Sequence, residues 1–167
     1  MKLRNVIVIV LVVGVLGFAG YTTLLTTHPA PGVTFTSLTG EKISTAELRG
    51  RVVLVNFWAT DCPTCVKEMP SMVTTYNKYR EQGFELVAVA MRHDPPNYVI
   101  NYTEKNALPF RVALDPMGQL AQAFGDVKLT PTTIVIDKRG NIVTRILGEP
   151  DFAKLNALIE QKLAEQV

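Results

Sequence analysis

Cysteine and histidine are scarce in this chain, whose 167 residues include two of each. Cys62 and Cys65 lie three positions apart, and neither His28 nor His93 is close to them in sequence. Without a third or fourth sulfur or imidazole ligand, the pair lacks the four-ligand set of a structural zinc site. Thiol chemistry is therefore the favoured interpretation of the two cysteines.

The chain also lacks a large excess of charge of either sign. The chain has 17 basic and 15 acidic residues, and Lys2 and Arg4 precede an apolar N-terminal segment. Subtracting those two from the 17 leaves 15 basic residues, which equals the number of acidic ones. A formally neutral domain lacks the basic surface that attracts a phosphate backbone, so nucleic acid is not expected as a partner.

Charged side chains are also absent from Val6 to Leu25. A helix of this length is about long enough to cross the roughly 30 Å hydrocarbon layer of a bilayer. Lys2 and Arg4 on its leading side predict that the N-terminus stays in the cytoplasm and that the rest of the chain is exported. The alternative is a cleaved signal peptide, since Gly17-Phe18-Ala19 has the small-residue pattern that a signal peptidase accepts.

The length of the chain fits one domain plus this extension. We predict that residues 1–27 hold a cytoplasmic tip, a membrane anchor and the start of a tether, and that residues 28–167 form an exported domain. The expected location is the bacterial cytoplasmic membrane, crossed once, with the domain on the periplasmic or extracytoplasmic side. Disulfides persist there, so a working dithiol needs a partner that keeps it reduced or reoxidises it.

Within the exported domain, apolar runs of strand length alternate with helical patterns. Strands are predicted at 33–38, 42–43, 51–58, 84–90, 110–114, 132–136 and 141–147, and helices at 44–48, 63–82, 95–107, 118–124 and after Asp151. The last two strands flank a turn and should pair antiparallel. The pattern predicts a mixed sheet covered on both faces. Met69, Met72 and Met117 are expected to fill the core.

The cysteine pair directly follows the apolar run 52–59, with Pro63 and Thr64 as its spacer. Where a strand turns into a helix, a two-residue spacer lets the sulfurs meet, so the pair can open and close as a disulfide. An inert stabilising disulfide is the alternative. A loop this short removes little entropy from the unfolded chain, which disfavours that alternative.

Segment 56–70, Asn-Phe-Trp-Ala-Thr-Asp-Cys-Pro-Thr-Cys-Val-Lys-Glu-Met-Pro, resembles the active-site segment of membrane-anchored TlpA/ResA/CcmG-type thiol-disulfide oxidoreductases. The resemblance extends over nearly the whole exported domain, including the extra helix and strand between Asp94 and Leu114 and the sequence Leu-Thr-Pro-Thr-Thr at 129–133. It implies an α/β thioredoxin fold: a mixed central sheet flanked by helices, with an N-terminal β-hairpin and an extra αβ insertion, preceded by one transmembrane helix.

The same resemblance implies a protein disulfide reductase that works by dithiol/disulfide exchange. Its substrates would be oxidised protein thiols. Apocytochrome c is the favoured client, because CcmG-like proteins of cytochrome c maturation share the Pro-Thr spacer. An integral-membrane thiol carrier of the CcdA/DsbD type would supply the electrons. The redox-active disulfide Cys62–Cys65 serves in place of a cofactor, and no metal is expected.

Different roles are expected for the two cysteines. Cys62 should lie at the N-terminus of the helix, where unpaired N–H groups and the helix dipole favour a thiolate nucleophile. Pro63 suits the first helical position, because its ring fixes a helical φ. Cys65, one turn further in and more buried, should attack Cys62 in the mixed disulfide and release the reduced substrate.

Glu68 is the candidate proton acceptor for Cys65. Thioredoxin has a buried aspartate in the strand before its site, whereas this chain has Asn56, which cannot take a proton. Glu68 matches the helix glutamate of the ResA-like motif and lies three residues after Cys65, on the same side of the helix. Burial would raise its pKa towards neutrality. The alternative is a solvated glutamate in an early helical turn.

Substrate contacts are assigned by the resemblance. Pro131 resembles the cis-proline that faces the dithiol in this fold, and Thr130 before it would offer backbone groups to an extended substrate segment. Pro63 and Thr64 would line the same surface. Trp58 is expected to pack beneath the site with its N–H hydrogen-bonded, although a plain core tryptophan is equally consistent.

One position departs from the family pattern. Relatives commonly carry an aromatic residue immediately before the first cysteine, and this chain has Asp61. A carboxylate beside Cys62 opposes ionisation of the thiol. We expect Asp61 to raise the pKa of Cys62 and to change the surface that a partner meets.

Two other functions share parts of this sequence pattern. A copper-delivery protein could use Cys62, Cys65 and either Met91 or His93 as ligands, but such proteins usually space their cysteines by three residues and place a histidine late in the chain. A thiol peroxidase needs a threonine three positions before its cysteine and a proline further upstream. Thr60 lies two positions before Cys62, and no proline lies between Arg51 and Cys62.

Overall fold

The computed structural model of the protein describes residues 28–166. Its seven strands are β1 (Thr34–Thr36), β2 (Lys42–Ser44), β3 (Val52–Trp58), β4 (Phe84–Ala90), β5 (Arg111–Leu114), β6 (Thr132–Ile136) and β7 (Ile142–Leu147). The helices are α1 (Pro63–Tyr79), which runs into a 3-10 turn (Arg80–Gln82), α2 (Pro96–Lys105), α3 (Gln119–Ala123) and α4 (Phe152–Ala164). These elements give the alternation that the apolar pattern predicts.

The central sheet is mixed. Its strand order is β5-β4-β3-β6-β7, with β3, β4 and β5 parallel and with β6 antiparallel to both β3 and β7. Every residue of β3, β4 and β6 is buried, as expected of strands covered on both faces. The thioredoxin-like α/β fold is therefore confirmed for the described part of the chain.

Alternate residues of the strands serve two cores. Val52, Leu54 and Trp58 face the core that α1, α2 and α4 cover, while Val53, Val55 and Phe57 face the one covered by β1, Leu48 and α3. The β1–β2 hairpin thus closes the second face of the sheet. Because β3 is the central strand and its C-terminal end leads to Cys62, the site follows a strand that is buried at every residue.

Three local predictions were wrong or displaced. Residues 45–50 form turns instead of the expected short helix, although Glu47 bonds the N–H of Ser44 at 2.7 Å, as in a helix cap. Four to five residues are too few for a helix to gain from propagation. Helix α1 ends three residues earlier than expected. Met117, expected in the core, has 74% of its surface exposed.

The tether-like residues before β1 are attached to the end of the sheet that is furthest from Cys62. The carbonyl of His28 accepts from the N–H of Ile142 at 2.7 Å, and the N–H of Ala30 donates to the carbonyl of Gly140 at 2.9 Å. Further along, Thr45 Oγ1 donates to the carbonyl of Pro31 at 2.9 Å. Residues 28–31 are therefore part of the folded domain.

No helix within residues 28–166 is long and apolar enough to span a membrane. The predicted span from Val6 to Leu25, and with it the predicted anchor unit 1–27, lies outside the described residues.

Candidate active site

The N-terminus of α1 carries the cysteine pair. Cys62 is the N-cap residue, with an extended backbone (φ −98°, ψ 105°), and Pro63 follows at the first helical position. The two cysteines form a disulfide across a Cα–Cα distance of 5.2 Å. Cys62 Sγ also accepts from the backbone N–H of Cys65 at 3.2 Å. The first turn has no acidic residue, so the exposed Asp61 just before the N-cap is the carboxylate that opposes the positive end of the helix dipole.

Solvent reaches the two sulfurs unequally. Cys62 is partly exposed, whereas Cys65 is completely buried against Trp58 and Met69 in the core under α1. Pro63 and Thr64 between them are exposed. An incoming sulfur can therefore reach Cys62 from solvent, while Cys65 can react only with Cys62.

Asp94 fixes the loop between β3 and the cysteines. It is buried, its Oδ2 accepts from the N–H of Thr60 at 2.6 Å, and its Oδ1 accepts from Thr60 Oγ1, also at 2.6 Å. The sequence does not predict this contact. The proline pair after Asp94 marked a loop, and nothing in the sequence links that loop to Thr60 across 34 positions.

Glu68 is buried one turn beyond Cys65. Burial raises its pKa from 4.5 to about 7, a hydrogen bond from Asn56 opposes that rise, and the charge of Glu149 adds to it. No cation bonds the carboxylate within the described residues, and Oε2 has no hydrogen-bond partner among them. A buried carboxyl that titrates near neutral pH can both accept and return a proton in a neutral solution.

Asn56 connects Glu68 to the central sheet. Its Nδ2 donates to Glu68 Oε1 at 2.9 Å and to Thr133 Oγ1 at 3.1 Å. All three side chains are completely buried, and Asn56 and Thr133 are register partners on β3 and β6. The role of Thr133 was not predicted, because the pairing of β3 with β6 is visible only in the fold.

Trp58 packs in the core beneath the site, with its ring centroid 5.2 Å from that of Tyr102. The expected hydrogen bond of its indole N–H is absent: Nε1 has no acceptor among the described residues. The tryptophan therefore contributes apolar packing, and the prediction of a bonded N–H was wrong.

The Thr130–Pro131 peptide bond is cis. Pro131 precedes β6, whose first residue, Thr132, pairs with Phe57 near the end of β3, so the proline lies at the cysteine end of the sheet. Its carbonyl accepts from the N–H of Gly148 at 2.8 Å. Within residues 28–166, neither the N–H nor the carbonyl of Thr130 has a backbone partner. That segment is free to pair with another chain.

The remaining candidate residues lie around Cys62. Asp61 is exposed, and its Oδ1 lies 3.4 Å from Nε2 of the exposed His93. Met91, the other copper-ligand candidate, is buried. In the described part of the chain, no group of three or more histidine, cysteine or acidic side chains is arranged to hold a metal ion.

Comparison with known proteins agrees with this geometry. The Redoxin family model matches residues 26–159. The thiol-disulfide oxidoreductase ResA of Bacillus thuringiensis subsp. konkukian is 33% identical over 166 residues, which is 95% of each chain. ResA of Geobacillus kaustophilus is 33% identical over 153 residues, 87% of this chain and 86% of that one.

A solved structure shows the same likeness in three dimensions. The thiol:disulfide interchange protein of the thioredoxin family from Chlorobium tepidum superimposes with a TM-score of 0.76 at 30% identity, covering 83% of this chain and 98% of that one. A disulfide at the start of a helix, with one sulfur reachable and one buried, is the arrangement that thiol-disulfide exchange requires. On sequence, fold and site together, the chain belongs to the Redoxin family as a ResA-like thiol-disulfide oxidoreductase.

Proposed function

We propose that the protein reduces disulfides of exported proteins, with Cys62 as the nucleophile and Cys65 as the resolving thiol. The unequal exposure of the two sulfurs carries this proposal. Only the partly exposed Cys62 at the N-cap of α1 is within reach of a second protein. Thr130, whose backbone groups have no backbone partner within residues 28–166, precedes β6 at the same end of the sheet as Cys62 and offers a place for the substrate chain.

The reaction has two exchange steps. The Cys62 thiolate attacks one sulfur of the substrate disulfide, forming a mixed disulfide while the other substrate sulfur leaves as a thiolate and is protonated. The Cys65 thiolate then attacks Cys62 Sγ, which expels the second substrate thiolate. Two electrons have moved to the substrate, and the Cys62–Cys65 disulfide remains. A reduced dithiol of the electron donor reverses the sequence.

In this scheme Glu68 takes the proton that the Cys65 thiol must lose before it can attack. The buried thiol has no direct access to water, since its side chain is completely covered. A carboxyl whose pKa is raised by burial to about 7 can accept that proton in one half-reaction and return it in the other.

The substrate would bind across the surface formed by Pro63, Thr64 and Thr130, with the buried Pro131 and Trp58 supporting it from below. An extended substrate segment can pair with both backbone groups of Thr130. Main-chain pairing reads shape and extension rather than sequence, so it suits a reductant with several protein substrates.

We place the protein at the bacterial cytoplasmic membrane, held by a single N-terminal span within residues 1–27, with residues 28–167 on the outer side. The uncharged run from Val6 to Leu25, preceded by Lys2 and Arg4, supports this location. The proposed client is apocytochrome c, and the proposed electron donor is an integral-membrane thiol carrier of the CcdA/DsbD type.

Trapping the mixed disulfide tests the roles of the cysteines and the client together. In a Cys65→Ala variant the second step is blocked, so we expect a covalent complex that a reductant dissolves and that mass spectrometry identifies. A matched Cys62→Ala variant should trap nothing. Complexes formed equally by both variants would overturn the assigned roles, and a strongly oxidising reduction potential would reverse the assigned direction of electron flow.

A separate experiment tests the location. The full-length protein in intact cells should be modified at Cys62, after reduction, by a thiol reagent that does not cross membranes. It should also stay with the membranes after an alkaline carbonate wash. Release by that wash, with a mass lacking the first residues, would instead support a cleaved signal peptide.

A further inference from the structure

The buried polar cluster of Asn56, Glu68 and Thr133 contains two residues to which the proposed reaction gives no part. Asn56 lies on β3, Glu68 on α1 and Thr133 on β6, so the cluster joins three elements of the fold. All three side chains are completely buried. Polar side chains in such a position normally have a reason to be there, because burial without full hydrogen bonding is unfavourable.

In both hydrogen bonds of the cluster, Asn56 is the donor. A single donor group, Nδ2 of Asn56, supplies both contacts: 2.9 Å to Glu68 Oε1 and 3.1 Å to Thr133 Oγ1. An amide nitrogen has two protons, so these two bonds use its whole donor capacity. With both protons committed, the plane of the amide is fixed by β6 on one side and directed at the carboxyl on the other.

The two oxygens of Glu68 are consequently unlike. Oε1 is held by the amide, whereas Oε2 is buried without a partner within residues 28–166. An ionised carboxylate would leave Oε2 with charge and no donor, so a proton is best accommodated on that oxygen. The amide thus decides which oxygen takes the proton and how strongly it is held.

We infer that Asn56 and Thr133 are positioning residues for the Glu68 carboxyl: Thr133 anchors the amide, and the amide orients Glu68 and tunes its affinity for a proton. This inference rests on the proposed function of Glu68 as proton acceptor. It adds that the site is controlled from the pairing of β3 with β6, where Asn56 and Thr133 are register partners.

Other charged groups near Glu68 are few. Asn56 and Thr133 contribute none from β3 and β6, and Cys62 and Cys65 titrate only when reduced. Glu149, in the segment after β7, acts on Glu68 through its charge and is itself bonded to Lys67 Nζ at 2.8 Å. Working with the oxidised protein therefore leaves Glu149 and Lys67 as the charged neighbours, and neither is altered in the variants below.

The test is a carboxyl titration of oxidised, full-length protein in detergent, followed by 13C NMR, with the Glu68 signal assigned by its loss in Glu68→Gln. In Asn56→Leu the carboxylate loses its donor, so the midpoint should rise by about one pH unit. In Thr133→Val the Asn56 amide can still donate to Glu68 but is no longer held by Thr133. The midpoint of Glu68 should therefore rise by about half a pH unit. Thr133→Ser retains the hydroxyl and should titrate like the parent protein.

Thr75→Val is the matched control. Thr75 is also buried on α1, and its Oγ1 donates to Asn156 Oδ1 at 3.0 Å, so the variant loses a comparable hydroxyl–amide bond away from Glu68. Its Glu68 midpoint should not move. An unchanged midpoint in Thr133→Val, or an equal shift in Thr75→Val, would overturn the inference, and neither result depends on Asn56→Leu folding.

The pH profile of disulfide reduction by the same variants separates this inference from the proposed function. If the carboxyl midpoint moves but the profile does not, Asn56 and Thr133 do position Glu68, and the role of Glu68 in proton transfer is wrong. If Glu68→Gln lowers turnover while the midpoint is the same in every other variant, the proposed function stands and the positioning inference fails.

Discussion

Glu68 and Glu85 are both buried glutamates next to the central sheet, but their surroundings differ. Glu85, at the start of β4, has Arg111 Nη1 at 2.5 Å and Arg51 Nη1 at 3.9 Å. Glu68, near the cysteine end of β3, has a single bond from a neutral amide. The two arginines tie Glu85 to β5 and to the residue before β3, whereas Glu68, which no cation bonds within residues 28–166, can exchange a proton near neutral pH.

The largest difference should appear in how stability depends on pH. Because the pKa of Glu68 is about 7 in the folded protein and 4.5 as its ordinary value, the folded state binds the extra proton between these values. Its contribution is present below pH 4.5 and is lost as the pH rises through 7, a loss of about 3 kcal/mol. Urea unfolding of the oxidised protein from pH 4 to 8 measures it, with Glu68→Gln as the reference that lacks this term. Parallel curves for the two proteins would contradict the assignment.

The second largest difference is expected in disulfide reduction, which should depend on Glu68 and not on Glu85. Glu68→Gln keeps the shape of the side chain but cannot accept a proton, so disulfide reduction at pH 7 should fall by about 100-fold. Glu85→Gln is the matched variant at the other end of the sheet and should keep its turnover while losing stability. Insulin reduction assays on both proteins give the comparison, and equal losses of turnover would erase the distinction.

Removing the cation tests the structural role of Glu85. Arg111→Met leaves a buried carboxylate with only the distant Arg51, and the free energy of unfolding should fall by about 2 kcal/mol, below the range for fully buried pairs because Arg111 is partly exposed. Lys78→Met breaks the exposed pair with Glu160 and should change it by under about 1 kcal/mol. Denaturant unfolding at pH 7 measures both, and equal effects would show that burial does not matter here.

A third carboxylate, the exposed Asp61, should have the smallest effect. Its negative charge beside Cys62 disfavours the thiolate, so Asp61→Asn should lower the pKa of the Cys62 thiol by about half a unit. Thiolate absorbance followed against pH measures the midpoint, and an unchanged or higher midpoint in Asp61→Asn would refute the expectation.

Much of the fold is predictable because the central strands are runs of mostly apolar residues with the length of a strand. The runs at β3, β4 and β6 are buried throughout and mostly apolar, and Gly140 marks the hairpin turn before β7. The 45–50 turns were mispredicted because a capping pattern was present without enough chain to continue a helix. Residue type alone predicts Met117 in the core, whereas the structure leaves 74% of its surface exposed.

In the site, too, the contacts between residues close in sequence were predicted, and those between residues far apart in sequence were not. Cys62, Pro63, Cys65 and Glu68 follow one another on α1, so their spacing already fixes their relative placement. The contacts of Asp94 with Thr60 and of Thr133 with Asn56 span 34 and 77 positions. Such contacts depend on which strands become neighbours, and a single sequence contains no direct record of that.

The hydrogen bonds of His28 and Ala30 to the β6–β7 turn lie at one end of the domain, and the reactive cysteine lies at the other. These bonds hold residues 28–30 beside the N-terminal end of β3, whereas Cys62 follows the C-terminal end of that strand. Seven strand residues at about 3.3 Å each separate the two ends by roughly 23 Å. Residues 28–31 therefore lie at the end of the sheet opposite Cys62, so they do not obstruct large proteins that approach the reactive sulfur.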